Sequence, residues 1–267
     1  MITIVTDSSA GYSRQELDRI GVERIGLHYY IDGKPFEELC RGENGAFLEH
    51  MRGCDLKTSQ PSMGAFLDLL NKLTSEGSEV LVITLSGALS GTYALASAAA
   101  KQVDGVVRVV DSGTINAGQH LLVDEAVNMV VCDMPIDDIV ARLEALRDRI
   151  GVVFSVESLG PLNKGGRYTG KQANTTLNTR PVFGVKSKVR FLSNARGVTA
   201  RVNELMAQIP DTARRIFVMK VGEETDVTPL VEKLGKRFPS VKIHLRTVGP
   251  VVSIHVGAGA FGVAYIE

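Results

Sequence analysis

The sequence predicts an α/β protein in two parts: a doubly wound parallel-sheet domain over residues 1–150 and an α+β domain over 151–267. In the first part, short continuous apolar runs rich in Val and Ile alternate with helical patterns, as strands buried on both faces of a parallel sheet require. Small polar residues gather where each run ends, which is where an open parallel sheet keeps its crevice. After Gly151 the alternation lapses, and strand-like segments outnumber helical ones.

The elements follow in order. Residues 2–5 are apolar and β-rich, and a helical pattern follows over Arg14–Ile20. In "SMGAFLDLLNKL", Phe66, Leu69, Leu70 and Leu73 share one helix face, with Ser62 placed as the N-cap. Strands are expected at 80–83 and 106–110, each leading into a helix, from about Gly91 and about Ile115. "VVFSVESLGPLNKGGRYTG" opens the second part as a strand and a glycine-rich loop. Beyond it come strands at 180–185, 189–192, 216–221, 241–247 and 262–266, and helices at about 198–207 and 227–237. "GPVVSIHVGAG" is read as an apolar strand running into flexible glycines, with His255 between them. No fixed-period repeat or low-complexity linker marks the boundary near residue 150.

Composition excludes several function classes. With 267 residues and 44% apolar content the chain can bury a sizeable core. Basic and acidic residues balance at a formal net charge of zero, so no long-range field draws nucleic acid or an anionic membrane. Aromatic residues are sparse and Trp is absent, which removes base-stacking platforms. The odd count of cysteines, Cys40, Cys54 and Cys132, has no CxxC pair, so neither a zinc site nor a redox disulfide is expected. "MITIVTDSSA" enters a strand at once, without the features of a signal peptide, and no apolar run reaches membrane-spanning length. A reduced, cytoplasmic setting and a monomer are expected.

Four polar stretches lie near strand ends or ahead of helices: "TDSS" (6–9), "KTSQPS" (57–62), "TLSGALSGT" (84–92) and "DSG" (111–113). Helix capping explains any one of them. Four together, rich in hydroxyls, suggest a site for a carboxylate or phosphate, because helix N-termini also turn unpaired N–H groups toward that crevice. Two literal motif matches fail. "GAGAFG" (257–262) fits GxGxxG, but the stretch that follows to Glu267 offers neither the helix nor the acidic residue of a dinucleotide site. "GGRYTGK" (165–171) is followed by Gln172, which lacks the hydroxyl that a phosphate loop offers to magnesium. No GxSxG elbow surrounds Ser90, so a hydrolase would have to rest on a Ser90–His255 pair defined by geometry alone. A lone histidine in such a setting is more often a structural hydrogen-bonding residue. His28, His50, His120 and His244 are assigned no role.

"IVTDSSA", "KTSQPS", "LSGTY", "VVDSGT", "KGGRYTG" and "VGPVVSIHVGAGAFGVAYI", in this order and spacing, resemble the DegV family over essentially the whole chain. The resemblance implies two α/β-type domains with a ligand cleft between them. It implies a long-chain fatty acid such as palmitate, stearate or oleate as the bound ligand, with no other cofactor. It further implies a lipid-binding subunit without catalysis of its own, which presents the acid to a separate ATP-dependent fatty acid kinase in bacterial phospholipid metabolism and touches membranes only transiently during ligand exchange. Carried onto this sequence, it assigns the carboxylate to Thr58, Ser90 and His255, with Arg167 near the head group and Ser59, Gly91 and Gly257 as neighbours. Hydroxyls at a helix mouth suit that task, since they hold a carboxylate without setting a full positive charge against an alkyl tail. Each buried methylene of the tail contributes about 0.8 kcal/mol. Two departures stand out. Ser86 precedes the LSGT element where paired serines are common, and Arg180 precedes Pro181 where a lysine is usual, which changes donor geometry. The alternative remains a Ser90/His255 hydrolase of acyl esters or acyl phosphates.

Overall fold

The computed structural model describes residues 1–45, 47–51 and 53–267, with the backbone alone at His50 and Met51. The side chain of His50, given no role above, lies outside that description. Four strands, β1 (Ile2–Asp7), β2 (Val22–Ile25), β6 (Glu79–Thr84) and β7 (Val107–Asp111), make a wholly parallel sheet in the order β2-β1-β6-β7. Its strands are apolar on both faces because both are covered. Val5, Val80 and Val82 share a core with Phe66, Leu70 and Leu73 of α2 (Met63–Ser75) and with Ala96 and Ala99 of α3 (Thr92–Ala100). Ile4, Leu81 and Ile83 share the opposite core with Leu17 of α1 (Arg14–Ile20), Leu121 and Leu122 of α4 (Ala117–Val131), and Ile139 and Leu143 of α5 (Ile136–Arg147). Ser62 caps α2 as expected, its hydroxyl accepting from the Ala65 N–H.

A six-stranded sheet begins with β8 (Ile150–Ser155) and adds β9 (Thr179–Lys186), β10 (Lys188–Arg196), β11 (Arg215–Lys220), β12 (Ile243–Thr247) and β13 (Phe261–Ile266), in the order β10-β9-β8-β13-β11-β12. The β11–β12 pair is parallel and the other four are antiparallel. Helices α7 (Gly197–Ala207) and α8 (Thr228–Arg237) cover one face through Val202, Leu205, Leu230 and Leu234. The other face, with Val152, Phe154, Phe183 and Phe217, joins the core beneath the parallel sheet. The two sheets therefore share one apolar interior, with α4 between them. Every residue from Ala117 to Val123 is buried, as a helix surrounded on all sides requires. Its polar members are paired: Gln119 Nε2 donates to Thr6 Oγ1 at 3.0 Å, and the His120 ring stacks on Tyr12 at 3.6 Å.

Three features differ from the sequence expectation. A three-stranded antiparallel sheet, β3 (His28–Ile31), β4 (Lys34–Glu37) and β5 (Leu56–Ser59), was not expected, and neither were β2 and α5. These strands are four residues long and partly exposed, so no continuous apolar run marks them. A short helix, α6 (Gly160–Lys164), stands between β8 and the glycine-rich loop. The third is a correction: residues Pro250–Val256 form a helix, α9, and not a strand. Pro250 at the first helical turn has its φ preset and needs no N–H partner there, whereas a short Val/Ile run cannot by itself separate strand from buried helix. The turn matters, because Val251, Val252, His255 and Val256 then share the face that lines the cavity described next.

Candidate functional site

Strand β5 brings Thr58 opposite Tyr29 of β3, and α9 packs against both strands. Thr58 Oγ1 and His255 Nε2 form a hydrogen bond of 2.8 Å. The other ring nitrogen, Nδ1, is buried and has no partner among the described residues. Burial, with the Arg167 guanidinium as a second cause, pushes His255 down to about 4, so the ring is neutral at pH 7. Gly165 lies directly against it: a Cβ there would stand 2.3 Å from Nδ1. Gly165→Ala is therefore expected to drive the ring off Thr58 and into contact with solvent. A histidine NMR titration should then place the His255 midpoint well above 4, toward the ordinary value; an unmoved midpoint would mean that the ring is held by something other than this contact.

Arg167 follows in the same loop. Its Nε donates to the Leu89 carbonyl at 3.2 Å and its other arm reaches the Gly165 carbonyl, while burial lowers its pKa with no acid among the described residues beside it to offset the cost. Ser90 sits before α3, where its hydroxyl pairs with Thr92 Oγ1 at 2.9 Å and accepts from the Thr92 N–H. It lines the cavity one residue before the N-cap, Gly91, and the histidine's hydrogen bond goes to Thr58 and not to Ser90.

Thr58, Ser59, Ser90, Gly91, Arg167 and His255 all line one cavity of about 330 Å³. Gln60, within the KTSQPS motif but unmarked by it, joins them at this polar end. The rest of the wall is mostly apolar and comes from the six-stranded sheet, from α9 and from loops that follow the parallel strands, including Val152, Phe154, Val185, Met219, Val252 and Leu85. Gly257 does not line it: at φ 83° it ends α9. Asn116, also unmarked by sequence, lines the cavity with a backbone strained to φ 53°, ψ −125°, and its Oδ1 caps α4 by accepting from the Ala117 N–H.

Of the four polar stretches, two supply the cavity and two do not. In "TDSS", Asp7 accepts from the Leu85 N–H at 2.7 Å and from the Ser9 N–H and hydroxyl, which stitches strand ends together. In "DSG", Asp111 Oδ1 accepts from the Gly87 and Gly113 N–H groups. These are the capping roles that polar residues at strand ends most simply fill.

A family model described as "Uncharacterised protein, DegV family" matches residues 1–267. The chain belongs to the DegV family. A DegV domain-containing protein of Staphylococcus aureus (strain COL) is 29% identical over 99% of this chain and 98% of its own length. Among solved structures, the fatty-acid-binding DegV family protein of Thermus thermophilus is 29% identical, covers 100% of this chain and 99% of its own, and superposes with a TM-score of 0.87. A Thermotoga maritima protein described as revealing a fatty acid binding function is 26% identical over 100% and 99% of the two chains, with a TM-score of 0.84. Within this DegV fold the two sequence departures find structural places. The buried Ser86 donates to the Ser187 carbonyl at 2.6 Å, tying the β9–β10 turn to the parallel sheet, and it does not line the cavity. Arg180 donates to Glu157 at 2.6 Å and to the Thr176 carbonyl at 2.7 Å, and it does not line the cavity. Among the described residues, no helix is long and apolar enough to cross a membrane, and no cluster of three or more His, Cys, Asp or Glu is placed to hold a metal ion.

Proposed function

We propose that this chain binds one long-chain fatty acid in this cavity, which residues of both the 1–150 and the 151–267 parts line, with its carboxylate at Thr58, Ser90 and His255. One observation carries the reading: Arg167, half-buried and without an acidic partner among the described residues, and a buried His255 nitrogen unpaired among them stand at the polar end of a cavity walled elsewhere by mostly aliphatic side chains. Polar groups left in that condition cost free energy that an anionic head group recovers, while the apolar wall takes a tail. Ser59, Gly91 and Gln60 flank the head group in this reading, and Gly257 fixes the end of the helix that carries His255. Residues 1–150 and 151–267 act as the two domains that close over the ligand. The fatty acid binding described for the Thermus thermophilus and Thermotoga maritima relatives supports the ligand class.

The chain itself carries out no chemistry on the acid in this proposal. It works as a cytoplasmic monomer, exchanges ligand by transient membrane contact and presents the carboxylate to a separate ATP-dependent kinase, the role that the ordered motif set implies. Native mass spectrometry followed by organic extraction tests the central claim: a stoichiometric fatty acid is expected, and a protein that is empty and takes up no added acid refutes it. Ser90→Ala should speed ligand loss about tenfold by removing one charge-assisted hydrogen bond. If the same substitution instead abolished a measurable acyl hydrolysis, the Ser90/His255 hydrolase would replace the binding protein.

A further inference from the structure

The helix that carries His255 begins against a buried acid that the head-group site does not use. Glu38, 1% exposed and just beyond β4, accepts the Val251 N–H of the first turn of α9 on Oε1 at 2.9 Å and the Ser8 hydroxyl on Oε2 at 2.7 Å. Ser8 in turn accepts the Leu27 N–H at 3.0 Å, so its one proton is free to point at the carboxylate. Both oxygens of Glu38 thus face donors, an arrangement that suits the ionised form. Gly249 leaves room for it: a Cβ there would lie 2.5 Å from Oε1. The single carboxylate therefore joins the end of β1, the β4 edge and the N-terminus of α9. Four residues after Val251, the same helix sets His255 on Thr58.

Resting on the fatty-acid reading above, we propose that Glu38 is a positioning residue for the head group: its ionised carboxylate fixes the first turn of α9, keeps His255 on Thr58, and makes ligand retention depend on protonation. The ionisable and charged groups that face it are Asp7 at the end of β1, which opposes its charge; Arg24 of β2, which favours it and donates to the Glu38 carbonyl at 2.7 Å; and Tyr29 of β3. Helix α9 turns its Val251 N–H toward it. Burial outweighs the Ser8 and Val251 hydrogen bonds and raises Glu38 from 4.5 to about 7, which places the change within the working pH range. Below that midpoint the carboxyl is neutral, the charge-assisted bond to α9 weakens and the wall helix loosens. His255, at about 4, does not titrate in this window.

The test measures dissociation of bound oleate from the whole protein between pH 5.5 and 8.5. Wild-type protein should release oleate about tenfold faster at the acid end, with a midpoint near 7, from the loss of one charge-assisted hydrogen bond. Glu38→Gln should release it fast at every pH, with a flat profile. Gly249→Ala, which crowds the carboxylate and keeps its charge, should release it faster while the pH dependence persists. The Val251 amide nitrogen of the unmodified protein should titrate with the same midpoint, which keeps the proposal testable should a variant not fold. An unchanged profile in Glu38→Gln, or a Val251 amide that does not titrate, overturns the assignment. Failure of wild-type protein to take up oleate at all would instead refute the fatty-acid reading on which it rests.

Discussion

Phe183→Ala is expected to lower the unfolding free energy by about 3–5 kcal/mol, among the largest losses a single core substitution gives. Phe183 is fully buried in β9, stacked on Phe154 at 5.5 Å and met edge-on by Tyr168 at 4.9 Å and Phe191 at 6.2 Å. Its removal takes away the transfer free energy of the ring, and neighbours fixed in two strands cannot collapse into the void. The effect should reach the site as well. Phe154 lines the cavity and Tyr168 follows Arg167, so the ring supports both the apolar wall and the glycine-rich loop. Denaturant unfolding with and without added fatty acid should therefore report a second loss, in the stabilisation conferred by the ligand. Phe183→Leu should cost less than about 1.5 kcal/mol, because volume is nearly kept. A loss no larger than that in Phe183→Ala would mean that the aromatic cluster is not close-packed.

The parallel sheet was legible because burial on both faces leaves β1 and β6 as unbroken apolar runs, and because α2 shows one apolar face behind a serine cap. The three-stranded sheet was not, since β4 is exposed at three of its four positions and carries no period that separates it from a loop. It is also the sheet that places Thr58. The residues at the cavity's polar end came from their motifs, and none of their mutual geometry did. The motifs name Thr58 and His255 for one site but no local pattern puts them in hydrogen-bonding contact across 197 positions, and a strand over residues 250–256 would have set Val252 and Val256 on one face and His255 on the other. Glu38 went unmarked because its role depends wholly on burial. In the sequence it stands between Glu37 and Leu39 as one of two adjacent acids that a solvated turn would equally carry.

Glu16→Ala is expected to destabilise the fold by about 3 kcal/mol, through the charge it leaves behind more than through the contacts it removes. Glu16 Oε1 accepts from Arg246 of β12 at 2.5 Å, and Oε2 accepts from Arg41 at 2.9 Å and from the Ser13 N–H at 2.8 Å. Burial pushes Glu16 up, yet the Ser13 N–H and the two guanidinium groups together hold it at about 2, below its ordinary 4.5. Arg246 is 11% exposed at its side chain, lies over Phe217, and already has an unpaired buried Nε, so without Glu16 it becomes a cation with no acid beside it. Because the folded-state value is depressed, the carboxylate's contribution is complete above about 4.5 and falls away as the pH drops toward 2. Acid titration of stability should thus show a steep loss across that window in the wild-type protein and a shallower one in Glu16→Ala. Pairing Glu16→Leu with Arg246→Met should recover much of the loss, since an apolar replacement of a buried pair leaves no orphaned charge. An acid limb equally steep in Glu16→Ala would mean that this pair does not clamp α1 to β12, and that the shared apolar core around α4 alone holds the two sheets together.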